Sequence, residues 1–168
     1  TSTPSSDTAP AILDGLVKQL GQTVIPRVRA FFGKESDIDQ DGHIGVLISS
    51  YLGKRELAFV SPCDLLASAR MPGCGAGSGN NAELIYMTAP GLLHAYYQKA
   101  EVLLETLAHE FQHLVYFHRK FMRNKIAGVK ENYYLNEGLS HLAQDLVGYQ
   151  QELIYLVKYG LRNAGQIS

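Results

Sequence analysis

Apolar residues recur at three- and four-residue spacing through residues 11–20 (AILDGLVKQL), where Ile12, Leu13, Leu16, Val17 and Leu20 share one side. That period predicts an amphipathic helix. A second short stretch of the same kind covers residues 24–32 after Gly21 and around Pro26, so the chain opens with one or two helices. The pattern then changes. A turn cluster at residues 37–42 (DIDQDG) leads into a β-branched run of strand length at residues 43–52 (HIGVLISSYL). Residues 56–60 (ELAFV) and 82–88 (AELIYMT) have similar length and composition and are bounded by Gly, Pro or Asn, which predicts two more strands. From residue 100 to residue 122 neither Gly nor Pro interrupts the chain and the helical period returns, predicting a long amphipathic helix. A second long helix is expected over residues 136–159, ending near Gly160, a natural residue just past a helix C-terminus. No internal repeat is visible, and the order of elements predicts an α+β fold.

The length of 168 residues suits one domain. With 46% apolar and 18% charged residues the composition is that of a globular chain rather than a disordered one. Fifteen Lys plus Arg against 16 Asp plus Glu leave a net charge of -1, which removes the basic field that a nucleic-acid partner would need. Lys18, Arg55, Lys99 and Glu105 interrupt the most apolar stretches, so no membrane span is expected. Residues 1–10 are rich in Ser, Thr and Pro and lack the basic and apolar regions of a signal peptide; they read as a flexible linker ahead of a domain over residues 11–168. Cys63 and Cys74 lie in one Gly/Pro-rich segment, too few for a zinc knuckle. They form a local disulfide in an oxidising compartment and two buried thiols in a reducing one.

Chemistry is concentrated in the first long helix, where His109, Glu110 and His113 make the spacing H-E-x-x-H. Four residues along a helix bring His113 to within about 40° of His109 and one turn away, so both imidazoles can reach one ion. Glu110 is about 60° round from His113, beside such an ion rather than on it. That is the place for a general base, which takes a proton from water activated by the metal. Chance placement gives the pattern in roughly one chain of this composition in a hundred. Two histidines leave a tetrahedral catalytic ion short of one protein ligand. Glu137, at the start of the second long helix, follows His113 at a distance that lets the chain turn and return alongside, and completes a His₂Glu set with an open fourth position.

The pair T-L-A-H-E-F-Q-H-L (residues 106–114) and L-N-E-G-L-S (residues 135–140) resembles the gluzincin zinc metallopeptidases, most of all the hyicolysin-type family of exported bacterial proteases. The resemblance extends upstream to residues 37–48, to F-V-S-P-C-D-L at residues 59–65 and to residues 82–87, and covers roughly residues 37–145. It implies a thermolysin-like subdomain with a mixed sheet packed on the active-site helix and a second helix carrying the third ligand. It further implies zinc held by His109, His113 and Glu137, with Glu110 as the base in hydrolysis of protein or peptide substrates. Secretion from a bacterium and a monomeric state are the matching expectations. Two other classes share the ligand set: a catalytically idle, metallopeptidase-like binding module, and a zinc hydrolase acting on other substrates.

The likeness has one departure. Four residues after the glutamate ligand the thermolysin-like pattern commonly has an aspartate that hydrogen-bonds a zinc histidine; here the residue is His141, with Asp145 one turn further along as a substitute. Asp37, Asp39 and Asp41 match the first half of a calcium loop, but Ile48 stands where its bidentate glutamate belongs, so an Asx-rich turn is the competing expectation. The basic residues Arg119, Lys120, Arg123, Lys125 and Lys130 read as a solvated helix end, and His94 has no motif around it. Residues 82–88 are expected at a sheet edge bordering the cleft, able to hold an extended peptide. Hydrolysis also needs an oxyanion donor. Tyr133, Tyr134 and Tyr149 are the candidates within the chain; the alternative is a second subdomain beyond it, with this chain as the N-terminal part of a larger enzyme.

Overall fold

The computed structural model of the chain describes residues 8–52, 56–65, 74–75, 77, 79–93, 95–123, 132–149, 158 and 162. Helix α1 (Thr8–Gln19) starts inside the segment expected to be linker. Pro10 is tolerated in its first turn, where backbone N–H groups have no helical acceptor. A π-helical turn, Leu20–Val24, joins α1 directly to α2 (Ile25–Phe32), so the two expected helices are one continuous rod. Pro26 would clash with the carbonyl of residue 22 in a regular α-helix and cannot donate to it. The wider turn, in which the N–H of Ile25 reaches back to the carbonyl of Leu20, accommodates it. Leu16, Leu20, Val24 and Val28 form the buried stripe of this rod.

Strands β1 (Gly45–Ser49), β2 (Ala58–Phe59) and β3 (Leu84–Thr88) fall within the three predicted segments and are shorter than each. They make a mixed sheet in the order β1-β3-β2, with β3 parallel to β1 and antiparallel to β2. The segment expected at a sheet edge is therefore the central strand. Its backbone is engaged on both sides, and the outer strands of the described sheet are β1 and β2. A short helix, α3 (Pro62–Leu65), follows β2.

Helix α4 (Ala100–Phe117) runs through the middle of the molecule and passes into a π-helical turn, His118–Arg123. Amphipathicity understated its environment: 15 of its 18 residues are buried. The rod of α1 and α2, the sheet, and α5 (Tyr133–Val147) pack around it. Phe111, Leu103, Leu104 and Leu114 of α4 meet Ile85 and Met87 of β3 and Ala143 and Val147 of α5 in one core. The second long helix thus begins three residues before the expected start and ends at Val147; of the rest of the expected range, residues 150–157 and 159, with Gly160, lie outside the described residues, and Lys158 is helical. Gly148, at φ 88°, takes the left-handed conformation that ends it, and its N–H returns to the carbonyls of Gln144 and Asp145.

Cys63 and Cys74 are joined in a disulfide, with Cα atoms 5.6 Å apart. The segment is fixed from inside by Asp64, which is 2% exposed. Its carboxylate accepts the N–H of Asn80 (2.9 Å), the Asn80 amide (2.8 Å) and the Tyr86 hydroxyl (2.8 Å).

Candidate metal centre

His109 and His113 are placed by the regular turn of α4, and Glu137 by the first turn of α5. Asn132 caps that helix by accepting the N–H of Leu135, which settles where α5 begins and hence where Glu137 points. The three side chains offer ligand atoms that all lie within 4.8 Å of one another, a possible metal-binding group. Nε2 of His109 is 3.3 Å from Oε2 of Glu137, and Nε2 of His113 is 3.8 Å from Oε1. Donors about 2.0–2.1 Å from a tetrahedral ion stand about 3.4 Å apart, so the spacing suits a shared cation.

Protonation favours the same reading. Nδ1 of His113 is 2.9 Å from Oδ1 of Asn136, an oxygen that can only accept, so the ring proton is on Nδ1 and Nε2 keeps its lone pair. Ser140 Oγ lies 3.1 Å from that same Nδ1 and donates to Oε1 of Gln112 (2.7 Å). Burial pushes His109 down from the usual histidine value to about 3, with His113 and His141 adding to the effect. A hydrogen bond with Gln144 opposes it, the sense expected when the amide oxygen accepts from the ring. His109 is therefore neutral near pH 7, the state in which an imidazole binds metal. The lone pair on Nε2 of His109 then faces Oε2 of Glu137 at 3.3 Å.

Glu110, next to His109 in α4, is buried, at 7% exposure. His141 is not a fourth member of the group. Its Nδ1 donates to Oε1 of Gln144 (2.7 Å), and its ring meets that of His109 edge to face at 5.1 Å. Asp145 does not take over the role of the missing aspartate. Eight residues from Glu137 it has rotated about 80° away, whereas Gln144, seven residues on, returns to within about 20° of the same line.

The other candidates separate cleanly. Tyr149 donates its hydroxyl to Gln19 of α1 (2.9 Å) and follows the end of α5, whose last residue, Val147, is already about 15 Å along the helix from Glu137, which removes it as an oxyanion donor. Tyr133 and Tyr134 are one turn before Glu137, with 65% and 88% of their surface exposed. In the acidic turn, Asp37 and Asp39 converge with Glu83 rather than with Asp41. Asp41 instead accepts the N–H of His43 (2.6 Å), while the buried Glu83 accepts that of Ile38 (3.1 Å). Of the basic group, Arg119 donates to the carbonyl of Phe32 and Lys120 to the Tyr116 hydroxyl, so neither is simply solvated. Lys125, Lys130 and His94 fall outside the described residues, and Arg123 only ends the π-helical turn. No helix among the described residues is long and apolar enough to cross a membrane.

Asn136, Ser140, Gln112 and Gln144 escaped the sequence reading. A signal was present: Asn136, Ser140 and Gln144 recur every four residues on the side of α5 that carries Glu137. Compared with known protein families, curated proteins and solved structures, the chain matches none.

Proposed function

We propose that this chain is a zinc-dependent endopeptidase of the gluzincin type, built on a thermolysin-like arrangement of sheet, active-site helix and third-ligand helix. The observation that carries this reading is the convergence of three metal-competent donors, His109, His113 and Glu137, from two helices at tetrahedral spacing. Two imidazoles and one carboxylate are the donor set of catalytic zinc, which keeps one position open. When bound, zinc would polarise water and the scissile carbonyl. Glu110 takes the proton from the attacking water and passes it to the departing amine. Asn136 and Ser140 hold His113 in the tautomer that turns its lone pair inward. Tyr133 and Tyr134, exposed one turn ahead of Glu137, are the candidates within the chain for meeting the oxyanion, a second subdomain being the alternative. The Cys63–Cys74 disulfide supports export to an oxidising compartment.

Zinc content and casein cleavage, measured together on two variants, test the proposal. Glu110→Gln should retain zinc and lose about 10²- to 10⁴-fold in rate, whereas Glu137→Ala should lose zinc as well. Full activity in Glu110→Gln would place the base elsewhere. Zinc-loaded wild type that cleaves no protein would favour a binding module.

A further inference from the structure

Ser140 stands three residues after Glu137 on α5, is fully buried, and has three hydrogen-bonding neighbours for one hydroxyl proton. Oε1 of Gln112 is 2.7 Å from its Oγ, while the carbonyl of Asn136 and Nδ1 of His113 are each 3.1 Å away. A serine inside a helix ordinarily donates to the carbonyl four residues back, here that of Asn136. Hydrogen bonds from O–H to oxygen centre on about 2.7–2.8 Å, so the shorter contact, to Gln112, takes the proton. Oγ then meets Nδ1 of His113 with lone pairs alone. Asn136 presents Oδ1 to the same nitrogen at 2.9 Å, so both groups accept and the ring has to supply the proton. Turning over the Gln112 and Asn136 amides would reverse the chain. Nε2 of Gln112 would donate to Oγ, the hydroxyl would donate to Nδ1, and the ring proton would sit on Nε2, toward Oε1 of Glu137 at 3.8 Å. A neutral ring in that state has no lone pair left for an ion.

We propose that Gln112 is a positioning residue of the candidate metal centre: its amide oxygen binds the Ser140 hydroxyl proton, and so keeps the His113 ring proton on Nδ1 and the Nε2 lone pair turned toward Glu137. The proposal rests on the metalloenzyme reading and extends it to a residue that acts only through another. Gln112 is 1% exposed, which keeps water from competing for that hydroxyl. Gln112 and His113 are consecutive on α4, about 100° apart, and close on Ser140 from two directions. Asn136 and Ser140 bracket Glu137 on α5. The four side chains that set the tautomer therefore also fix α4 against α5 beside the third candidate ligand.

Ring-nitrogen NMR of the metal-free chain, at a pH where histidine is neutral, and zinc affinity by chelator competition test the assignment together. The wild type should carry the His113 proton on Nδ1. Gln112→Met, which keeps the length of the side chain and removes the acceptor, should move part of that proton to Nε2 and weaken zinc binding by about 10- to 100-fold. Gln112→Glu, which keeps the acceptor, should hold the proton on Nδ1 and bind zinc at least as tightly as wild type. In a Ser140→Ala background Gln112→Met should have no further effect on affinity, because the hydroxyl through which it acts is gone. A wild-type proton on Nε2, or a folded Gln112→Met with tautomer or affinity unchanged, would overturn the proposal. Should Gln112→Met fail to fold, the wild-type and Gln112→Glu spectra decide: an Nδ1 proton in both supports the assignment, and an Nε2 proton in either overturns it. A wild-type chain that takes up no zinc would defeat the enzymatic reading, while the His113 tautomer would still report on Gln112.

Discussion

A carboxylate removed almost entirely from water survives when its oxygens are hydrogen-bonded, and Asp64 meets that condition through Asn80 and Tyr86. The cost passes to the tyrosine. Burial, with the neighbouring Asp64, pushes the Tyr86 hydroxyl up to about 12, because ionising it would set a phenolate against a carboxylate. A group whose value rises on folding stabilises the fold below its unfolded value, near 10, and loses that contribution as pH climbs through the folded value. Stability should therefore fall between about pH 10 and pH 12, and ultraviolet titration should show one late phenolate that Tyr86→Phe abolishes. A tyrosine titration complete near pH 10 would contradict this. The candidate metal group and the residues around it differed in legibility at this scale. His109, His113 and Glu137 could be read because metal chemistry restricts both residue type and helical spacing. Asn136, Ser140 and Gln144 left only a four-residue recurrence to read, since amides and hydroxyls on a helix ordinarily face water, and only the polar seam of a second helix makes burying them worthwhile.

The limits of α5 show what an element's own pattern leaves out. Apolar residues continue past Gly148 toward residue 159, so periodicity alone predicted a longer helix. What decides is the left-handed backbone at Gly148, where an L-residue meets its own carbonyl, together with Arg27 of α2, which donates to the carbonyl of Val147 at 2.8 Å. Gly148→Ala should cost about 1 kcal/mol, lowering the melting temperature by about 2–4 °C. Gly15→Ala, inside α1 with nothing within 4 Å of the new methyl, should instead raise it. Equal shifts of the same sign would mean that Gly148 is not a conformational stop. The rod of α1 and α2 makes the converse point. Gly21 and Pro26 looked like a break, yet a single wide turn carries the helix through both, a solution invisible to rules that treat proline only as a terminator.

Across the whole molecule, the α+β class was legible because the hydrophobic period changes from helix to strand and back along the chain. The order of the strands was not, since a strand's own pattern does not name its neighbours. The disulfide acts at this scale through the unfolded chain: a bond between cysteines 11 residues apart removes loop entropy worth about 3 kcal/mol. A Cys63→Ser, Cys74→Ser double variant should melt several degrees lower than wild type, and coincident melting curves would deny the bond a stabilising role. The order β1-β3-β2 has a temporal consequence as well. Of the three described strands the last to leave the ribosome is the one that fits between the other two, so within the described sheet β1 and β2 have no partner until residues 84–88 arrive. A sheet completed from its centre cannot grow strand by strand from an edge. Its first and last strands are 39 residues apart in paired register, Gly45 with Leu84, a closure that slows folding. Amide protons of all three strands should then gain protection in one kinetic step during refolding, together with those of α4, which follows β3 in the chain and packs against it. Protection of β1 before β3 would show that the sheet has another way to begin.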